Sequence, residues 1–274
     1  MYPSSEMNNL EPEAKTTLRK LGFCGADDSV SPKMLALIFN AYPFVEFGVL
    51  FRPDKEGEPR YASSAWVEEL GKVAKSSNMT LAAHFCGSRV NEVLSGNDDF
   101  VRTLYDLGFR RVQINATAVN GVDTSDLKGS VIPLLEVVSR HENLEFIIQK
   151  NEETRPLWEG ILSVEGGFPP NITMLLDESK GTGVLSNSWP RPPSEYDIGY
   201  AGGIGPNNIR QVIKDVLEAG QGRRIWIDME SSLRSQVNGK DVFDLNKCFQ
   251  CIEVICDENL FQHPKFLQST LLPM

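Results

Sequence analysis

The feature of this sequence that most constrains its fold is a regular alternation of short apolar runs with longer stretches of helical periodicity. The runs are rich in β-branched and aromatic residues, which favours strands, and the stretches between them repeat apolar residues at spacings of three and four, which favours helices. We predict seven strands, at residues 45–51, 80–85, 111–115, 144–149, 172–177, 197–201 and 224–228. Strand followed by helix, repeated along the chain, predicts parallel β/α units.

An eighth strand would close these units into a barrel, and the candidate upstream is LGFCG at 21–25. It follows EPEAKTTLRK at 11–20, whose pattern predicts an extra helix over the N-terminal end of the barrel. We therefore predict an α/β fold, a single (β/α)8 TIM barrel at 21–274 with an N-terminal helical extension at 1–20. The length of 274 residues is close to the roughly 250 of a typical α/β barrel. On pattern alone, a doubly wound open sheet is the alternative.

Composition and charge limit the classes of partner that this protein is expected to bind. A net charge of -10 and a pI near 4.9 disfavour binding to nucleic acid or anionic lipid over most of the surface. No apolar run approaches the ~20 residues of a membrane span, and the acidic start of the chain does not resemble a signal peptide. An odd number of cysteines favours a reducing, cytoplasmic setting. The sequence has five, which are Cys24, Cys86, Cys248, Cys251 and Cys256.

Functional side chains of α/β barrels lie at the C-terminal ends of strands, so the residues after each predicted strand are the first candidates. Two of those positions are glycine-rich, KGTG at 180–183 and AGGIGPNN at 201–208. The second leads directly into a predicted helix, whose exposed N–H groups favour an anion. Either loop alone is typical of a tight turn. Together, with Ser231 and Ser232 after the next strand, they favour a phosphate site.

Two other strand ends have side chains suited to proton transfer. Asp177 ends the apolar run ITMLLD, where desolvation would raise the pKa of its carboxyl toward general-acid use, and a helix cap or an ion pair is the alternative. Cys24 would act as a base or nucleophile if its thiol ionised readily, whereas a buried thiol would only pack. Cys248 and Cys251 lie among apolar residues of a predicted helix, and we interpret them as core packing.

The histidines are His84, His141 and His263, and they are scattered along the chain. This spacing supports neither a histidine-based metal site nor a Ser-His-Asp triad. We expect no metal.

Six segments resemble phosphoribosylanthranilate isomerase, a family of single-domain barrels of tryptophan biosynthesis. They are GFCG at 22–25, EPRYAS at 58–63, VQINA at 112–116, LLDESKGTG at 175–183, YAGGIGPNNI at 200–209 and IDMESSLRS at 227–235. The similar motifs of the family are K-I-C-G, S-P-R-Y-V-S, V-Q-L-H-G, L-L-D-S with G-G-T-G, L-A-G-G-L-x-P-x-N-V and V-D-V-S-S-G-V-E-S. The order and spacing of the segments are specific as a set.

The resemblance implies an Amadori rearrangement of N-(5-phosphoribosyl)anthranilate, in which an acid protonates the ring oxygen and a base removes the proton from C2. By position, it implies that Asp177 is the acid, Cys24 the base and Arg60 the residue that binds the anthranilate carboxylate. It also implies no cofactor and, as the partner, a small phosphorylated sugar. The remaining implied contacts are with substrate at Gln113 and Asn115 and with phosphate at Gly181, Gly183, Gly202, Gly203, Ser231 and Ser232.

The departures from the family pattern keep other functions open. Asn115 replaces the family's histidine, and Ser232 replaces a glycine. Glu230 would repel a phosphate unless it turned away or paired with Arg234. The alternative is a divergent barrel that keeps a sugar-phosphate site but has another substrate or no catalysis. A third hypothesis is an aldose–ketose isomerase with a non-aromatic substrate. The oligomeric state is left open.

Overall fold

Eight parallel strands form a closed barrel in chain order, with the last strand paired to the first. The computed structural model describes residues 15–186 and 188–261. The strands are β1 Thr17–Cys24, β2 Val45–Phe51, β3 Leu81–Phe85, β4 Phe109–Ile114, β5 Glu145–Lys150, β6 Ile172–Leu176, β7 Ile198–Tyr200 and β8 Arg224–Met229. The predicted α/β barrel is confirmed, and the open sheet is excluded.

Helices follow most of the strands and cover the outside of the barrel. They are α1 Pro32–Ala41, α2 Ser64–Ser77, α3 Ser88–Leu94, α4 Asp99–Leu107, α5 Val131–Arg140, α6 Arg155–Leu162, α7 Ile209–Gly220 and α8 Leu245–Asp257. Each longer helix buries one stripe; in α7 the buried residues include Ile209, Val212, Ile213 and Val216, at helical spacing. Cys248 and Cys251 of α8 are buried in the core, as predicted. Among the helices of the described residues, none has the length and apolar character needed to cross a bilayer.

The start of the barrel differs from the prediction. Strand β1 begins at Thr17, so Thr17–Lys20 are strand and the helix predicted over 11–20 is wrong for those residues. The reason is pairing: β1 aligns with β8 from Thr17 opposite Arg224 onward, and this ladder outweighs the local helical pattern. Residues 1–14 of the predicted extension lie outside the described residues.

The N-terminal end of the barrel interior has a charged layer. Arg111 on β4 donates to Glu46 on β2 at 2.6 Å and to Glu145 on β5 at 2.9 Å, and Arg19 pairs with Glu145 as well. The Arg111 guanidinium also lies over the ring of Trp226, 4.6 Å from its centroid. Burial alone would raise the pKa of Glu145, but the two arginines outweigh it and lower that pKa to about 2. This layer closes the barrel below the candidate site.

A hairpin after β8, which the sequence analysis did not predict, covers one edge of the other end. Its strands are β9 Arg234–Val237 and β10 Lys240–Phe243. Arg234 is buried and joins the hairpin to the end of β1: it donates to Asp27 at 2.7 Å, to Asp241 at 2.9 Å and to the carbonyl of Gly25 at 2.8 Å.

Candidate active site

A cavity lies at the C-terminal ends of the strands, where barrels place their active sites. It contains about 60 Å³ of water-accessible space. The predicted site residues that line it are Cys24, Gln113, Asn115, Asp177, Gly181, Gly183, Gly202, Gly203 and Ser231. The fold therefore brings together residues that the sequence places far apart.

Arg60 and Ser232 do not line this cavity. Arg60 lies at its rim, where its guanidinium contacts Glu230 at 3.2 Å and Asp241 at 3.4 Å. Ser232 packs beside Gly205, so closely that a side chain at Gly205 would displace it. The partner of Glu230 is thus Arg60 and not Arg234, because Arg234 is held in the hairpin. A ligand carboxylate would have to compete with two protein carboxylates for Arg60.

Asp177 is surrounded by donors, in contrast to the apolar environment predicted for it. One carboxylate oxygen accepts from the backbone N–H and hydroxyl of Ser179, and the other accepts from Gln149 Nε2 at 2.8 Å and the N–H of Gly181 at 3.0 Å. A carboxylate has about four acceptor positions. All four are filled by the chain, which fixes the orientation of Asp177 and shapes the loop after β6.

Cys24 is 1% exposed and clusters with Leu50 and Cys86. Burial raises the pKa of its thiol well above the ordinary value, and the nearby carboxylates of Asp228 and Glu230 raise it further. Its surroundings thus favour the protonated thiol over the readily ionised thiolate that a base requires. The role of Cys24 as a base stays a prediction.

Asp228 and His84 also line the cavity, and the sequence analysis assigned neither a role. Burial raises the pKa of the Asp228 carboxyl well above its usual range, and Glu46 adds to the effect. Burial and the charge of Arg111 lower the pKa of His84 to about 3. His84 is therefore uncharged at neutral pH. The available signal for Asp228 was strand alternation, which places it on the same face as Glu230 two residues later.

Amide side chains form another part of the wall. Gln113 Nε2 donates to Asn115 Oδ1 at 2.8 Å, and Asn115 Nδ2 lies 3.6 Å from Cys86 Sγ. Asn115, which stands where the family pattern has a histidine, thus belongs to a neutral hydrogen-bonded chain.

The glycine-rich loops after β6 and β7 interlock. Gly203 has a φ of +64°, and a Cβ there would meet the backbone of Leu185 and lie 2.8 Å from the carbonyl of Gly183. The N–H groups of Gly181 and Gly183 donate to Asp177 and Ser179. Among residues 15–186 and 188–261, those of Gly202 and Gly203 have no acceptor. The predicted phosphate loops are therefore adjacent, and only part of their backbone donors are in use.

Within the described part of the chain, no group of three or more His, Cys, Asp or Glu residues is arranged to hold a metal ion.

A scan against protein-family models finds no match, and a search of curated proteins finds none either. Solved barrels do match. D-Allulose 3-epimerase from Methylomonas sp. has a TM-score of 0.50 at 11% identity, over 90% of this chain and 100% of that chain. DAHP synthase from Thermotoga maritima has a TM-score of 0.48 at 12% identity, over 90% and 72% of the chains. 3-Keto-L-gulonate-6-phosphate decarboxylase from Vibrio cholerae has a TM-score of 0.44 at 11% identity, over 91% and 100%. The epimerase match supports the TIM-barrel fold.

Proposed function

We propose that this barrel is a sugar-phosphate isomerase that catalyses an Amadori rearrangement of the phosphoribosylanthranilate isomerase type. The observation that supports this most directly is that the predicted acid on the β6 side, Asp177, and the predicted base on β1, Cys24, line one cavity. Such an activity would belong to tryptophan biosynthesis. The five cysteines are all buried and free, which fits a reducing cytoplasm.

In the proposed reaction, Asp177 protonates the ring oxygen of the furanose and the ring opens to an iminium. Cys24 then removes the proton from C2, which leaves an enamine that becomes the ketose-like product. Gln149, Ser179 and Gly181 hold the Asp177 carboxylate in place. Transfer of a proton through Asp177 requires the substrate oxygen to displace one of these donors.

The phosphate would bind where the two glycine loops meet β8. The N–H groups of Gly202 and Gly203 point to this role because they lack acceptors among the described residues. Ser231 lies against Gly183 and would add a hydroxyl donor. Glu230 is the unfavourable charge here, and its ion pair with Arg60 offsets part of the repulsion.

The test is a fluorescence assay with phosphoribosylanthranilate generated in situ. We expect turnover by the wild type and at least a 100-fold loss in Asp177→Asn and in Cys24→Ala. Matched controls are Asp215→Asn, on the exposed face of α7, and Cys251→Ala, a buried thiol of α8. Full turnover in Asp177→Asn would exclude its role as the acid.

A second candidate function is sugar-phosphate binding without this reaction, and one set of observations favours it. Asp177 has its acceptor positions filled, and Arg60 is paired with Glu230 and Asp241. A folded wild type that binds ribose 5-phosphate but leaves phosphoribosylanthranilate unchanged would establish this alternative. Turnover of a non-aromatic aldose phosphate instead would identify another aldose–ketose isomerase.

A further inference from the structure

Gln149, at the C-terminal end of β5, has a buried side-chain oxygen that lacks a hydrogen-bond donor among the described residues. The side chain is 1% exposed, and its Nε2 donates to Asp177 Oδ2 at 2.8 Å. Its Oε1 has no hydrogen-bond partner among the described residues, where it is one of two buried side-chain atoms in that condition. A buried acceptor without a donor is costly, so one left in a native site calls for a functional explanation.

The orientation of this amide follows from its partner. The amide presents its nitrogen to Asp177, because Gln149 Nε2 donates to Oδ2 of that carboxyl. The oxygen is thereby directed away from Asp177, and Gln149 lines the candidate cavity. A donor that satisfies Oε1 would therefore come from the contents of the cavity.

The other groups around the cavity floor show what kind of donor fits. Asp228 and His84 line the same cavity. A carboxyl group accepts hydrogen bonds in either protonation state, and a neutral imidazole both donates and accepts. No lysine or arginine lines this cavity in the described part of the chain. Acceptors of this kind, without a basic side chain beside them, suit hydroxyl groups rather than an anion.

We propose that the floor of the cavity is a polyol subsite in which Gln149 Oε1 accepts a hydrogen bond from a sugar hydroxyl, with Asp228 and His84 binding neighbouring hydroxyls. The inference rests on the proposed function for its ligand, a sugar phosphate, and it states which part of that ligand contacts the floor. Gln149 then has two tasks, because its nitrogen orients Asp177 while its oxygen selects a hydroxylated substrate.

The test is calorimetric binding of ribose 5-phosphate and its 2-deoxy and 3-deoxy analogues. The variant Gln149→Met keeps the size of the side chain and removes its hydrogen bonds, and Gln211→Met on the exposed face of α7 is the matched control. We expect wild type and control to bind ribose 5-phosphate about tenfold more tightly than at least one deoxy analogue. Gln149→Met should bind ribose 5-phosphate and that analogue within twofold of one another.

Two results would overturn the subsite. One is a wild type that binds the three sugars equally or binds none of them, a measurement that needs no variant and so holds even if Gln149→Met fails to fold. The other is a folded Gln149→Met that discriminates as the wild type does, since a bound water would then satisfy Oε1. The outcome is separate from that of the proposed reaction: an inactive wild type that discriminates through Gln149 overturns the Amadori activity and supports the subsite.

Discussion

At the scale of single residues, the cavity combines acids whose pKa is raised with acceptors that are buried. Burial raises the pKa of both the Cys24 thiol and the Asp228 carboxyl. Strand-end positions made Asp177 and Cys24 candidates from the sequence, and the resemblance to phosphoribosylanthranilate isomerase was needed to favour Cys24 as a base over inert packing. Their protonation and hydrogen bonding were not predictable, because these depend on neighbours from other strands. Gln149 was missed for the same reason: its importance comes from one unpaired oxygen, which a sequence does not display.

The first prediction concerns the pH dependence of catalysis. If Cys24 is the base, it has to lose its proton, and its raised pKa places that loss above neutral pH. We therefore expect the residual kcat/KM of Asp177→Asn, in which the acid no longer titrates, to rise with pH from 6 to 9 without reaching a plateau. A rate that is flat over this range would show that Cys24 does not act as a titrating base.

The second prediction concerns the effect of Asp228 on the free energy of unfolding at different pH values. Its folded-state pKa lies above the unfolded value, so the folded protein holds a proton that the unfolded chain has released, and stability falls as pH rises through that window. Asp228→Asn stays neutral throughout. We expect it to be more stable than the wild type at pH 8 and as stable as the wild type below pH 4.

Chemical denaturation at the two pH values measures this difference. Asp215→Asn on α7 is the control. Lower stability of Asp228→Asn at pH 8 would contradict the prediction.

At the scale of elements, hydrophobic periodicity predicted the bounds of most strands to within two residues, because the barrel strands are buried and their apolar runs are distinct. Two elements were not predicted correctly. The first residues of β1 were assigned to a helix, since their pairing with β8 is a long-range contact. The hairpin of β9 and β10 was missed, since its strands are only four residues long. Both errors arise where tertiary contacts decide the local structure.

The third prediction concerns the interlocked loops. Gly203 and Gly239 both have positive φ, but a Cβ at Gly203 meets the backbone of Leu185, whereas a Cβ at Gly239 meets nothing within 4 Å. Gly239→Ala should cost only the backbone strain, about 1 kcal/mol. Gly203→Ala should cost about 2 kcal/mol more and should weaken binding of inorganic phosphate at least tenfold. Equal effects on stability would show that the loops do not interlock in solution.

The fourth prediction concerns the attachment of the hairpin to β1. Arg234→Met removes the partner of two carboxylates, Asp27 and Asp241. Leaving buried charges unpaired costs about 3–5 kcal/mol. Arg210→Met, which breaks exposed ion pairs to Asp257 and Glu258, is the matched control and should cost less than about 1 kcal/mol. Urea denaturation measures both, and equal losses would contradict the attachment.

At the scale of the whole molecule, the barrel has a polar cavity at one end and a charged layer at the other. The charged layer joins β2, β4 and β5 through Arg111. Glu145 there has a folded pKa of about 2 against an ordinary 4.5. Its ion pairs therefore stabilise the fold fully above pH 4.5, and that stability is lost as pH falls toward 2.

The fifth prediction follows from this layer. Between pH 4.5 and 2, the wild type should lose about 3 kcal/mol of unfolding free energy through Glu145. Arg111→Met should already be about 3–5 kcal/mol less stable at pH 7 and should lose less on acidification. Arg210→Met serves again as the surface control. Identical acid profiles for wild type and Arg111→Met would exclude the proposed source of the pH dependence.

The same layer limits how this barrel can diverge. Loss of Arg111 alone leaves Glu46 without its partner in the barrel interior, and loss of either glutamate leaves Arg111 with one partner of two, whereas joint replacement by apolar residues of similar volume removes that penalty. Among homologues of this protein, we therefore expect the three positions to be retained together or replaced together. At the other end of the barrel the same rule ties Arg234 to Asp27, whereas positions of the cavity wall outside such ion pairs can change one at a time without leaving a buried charge unpaired.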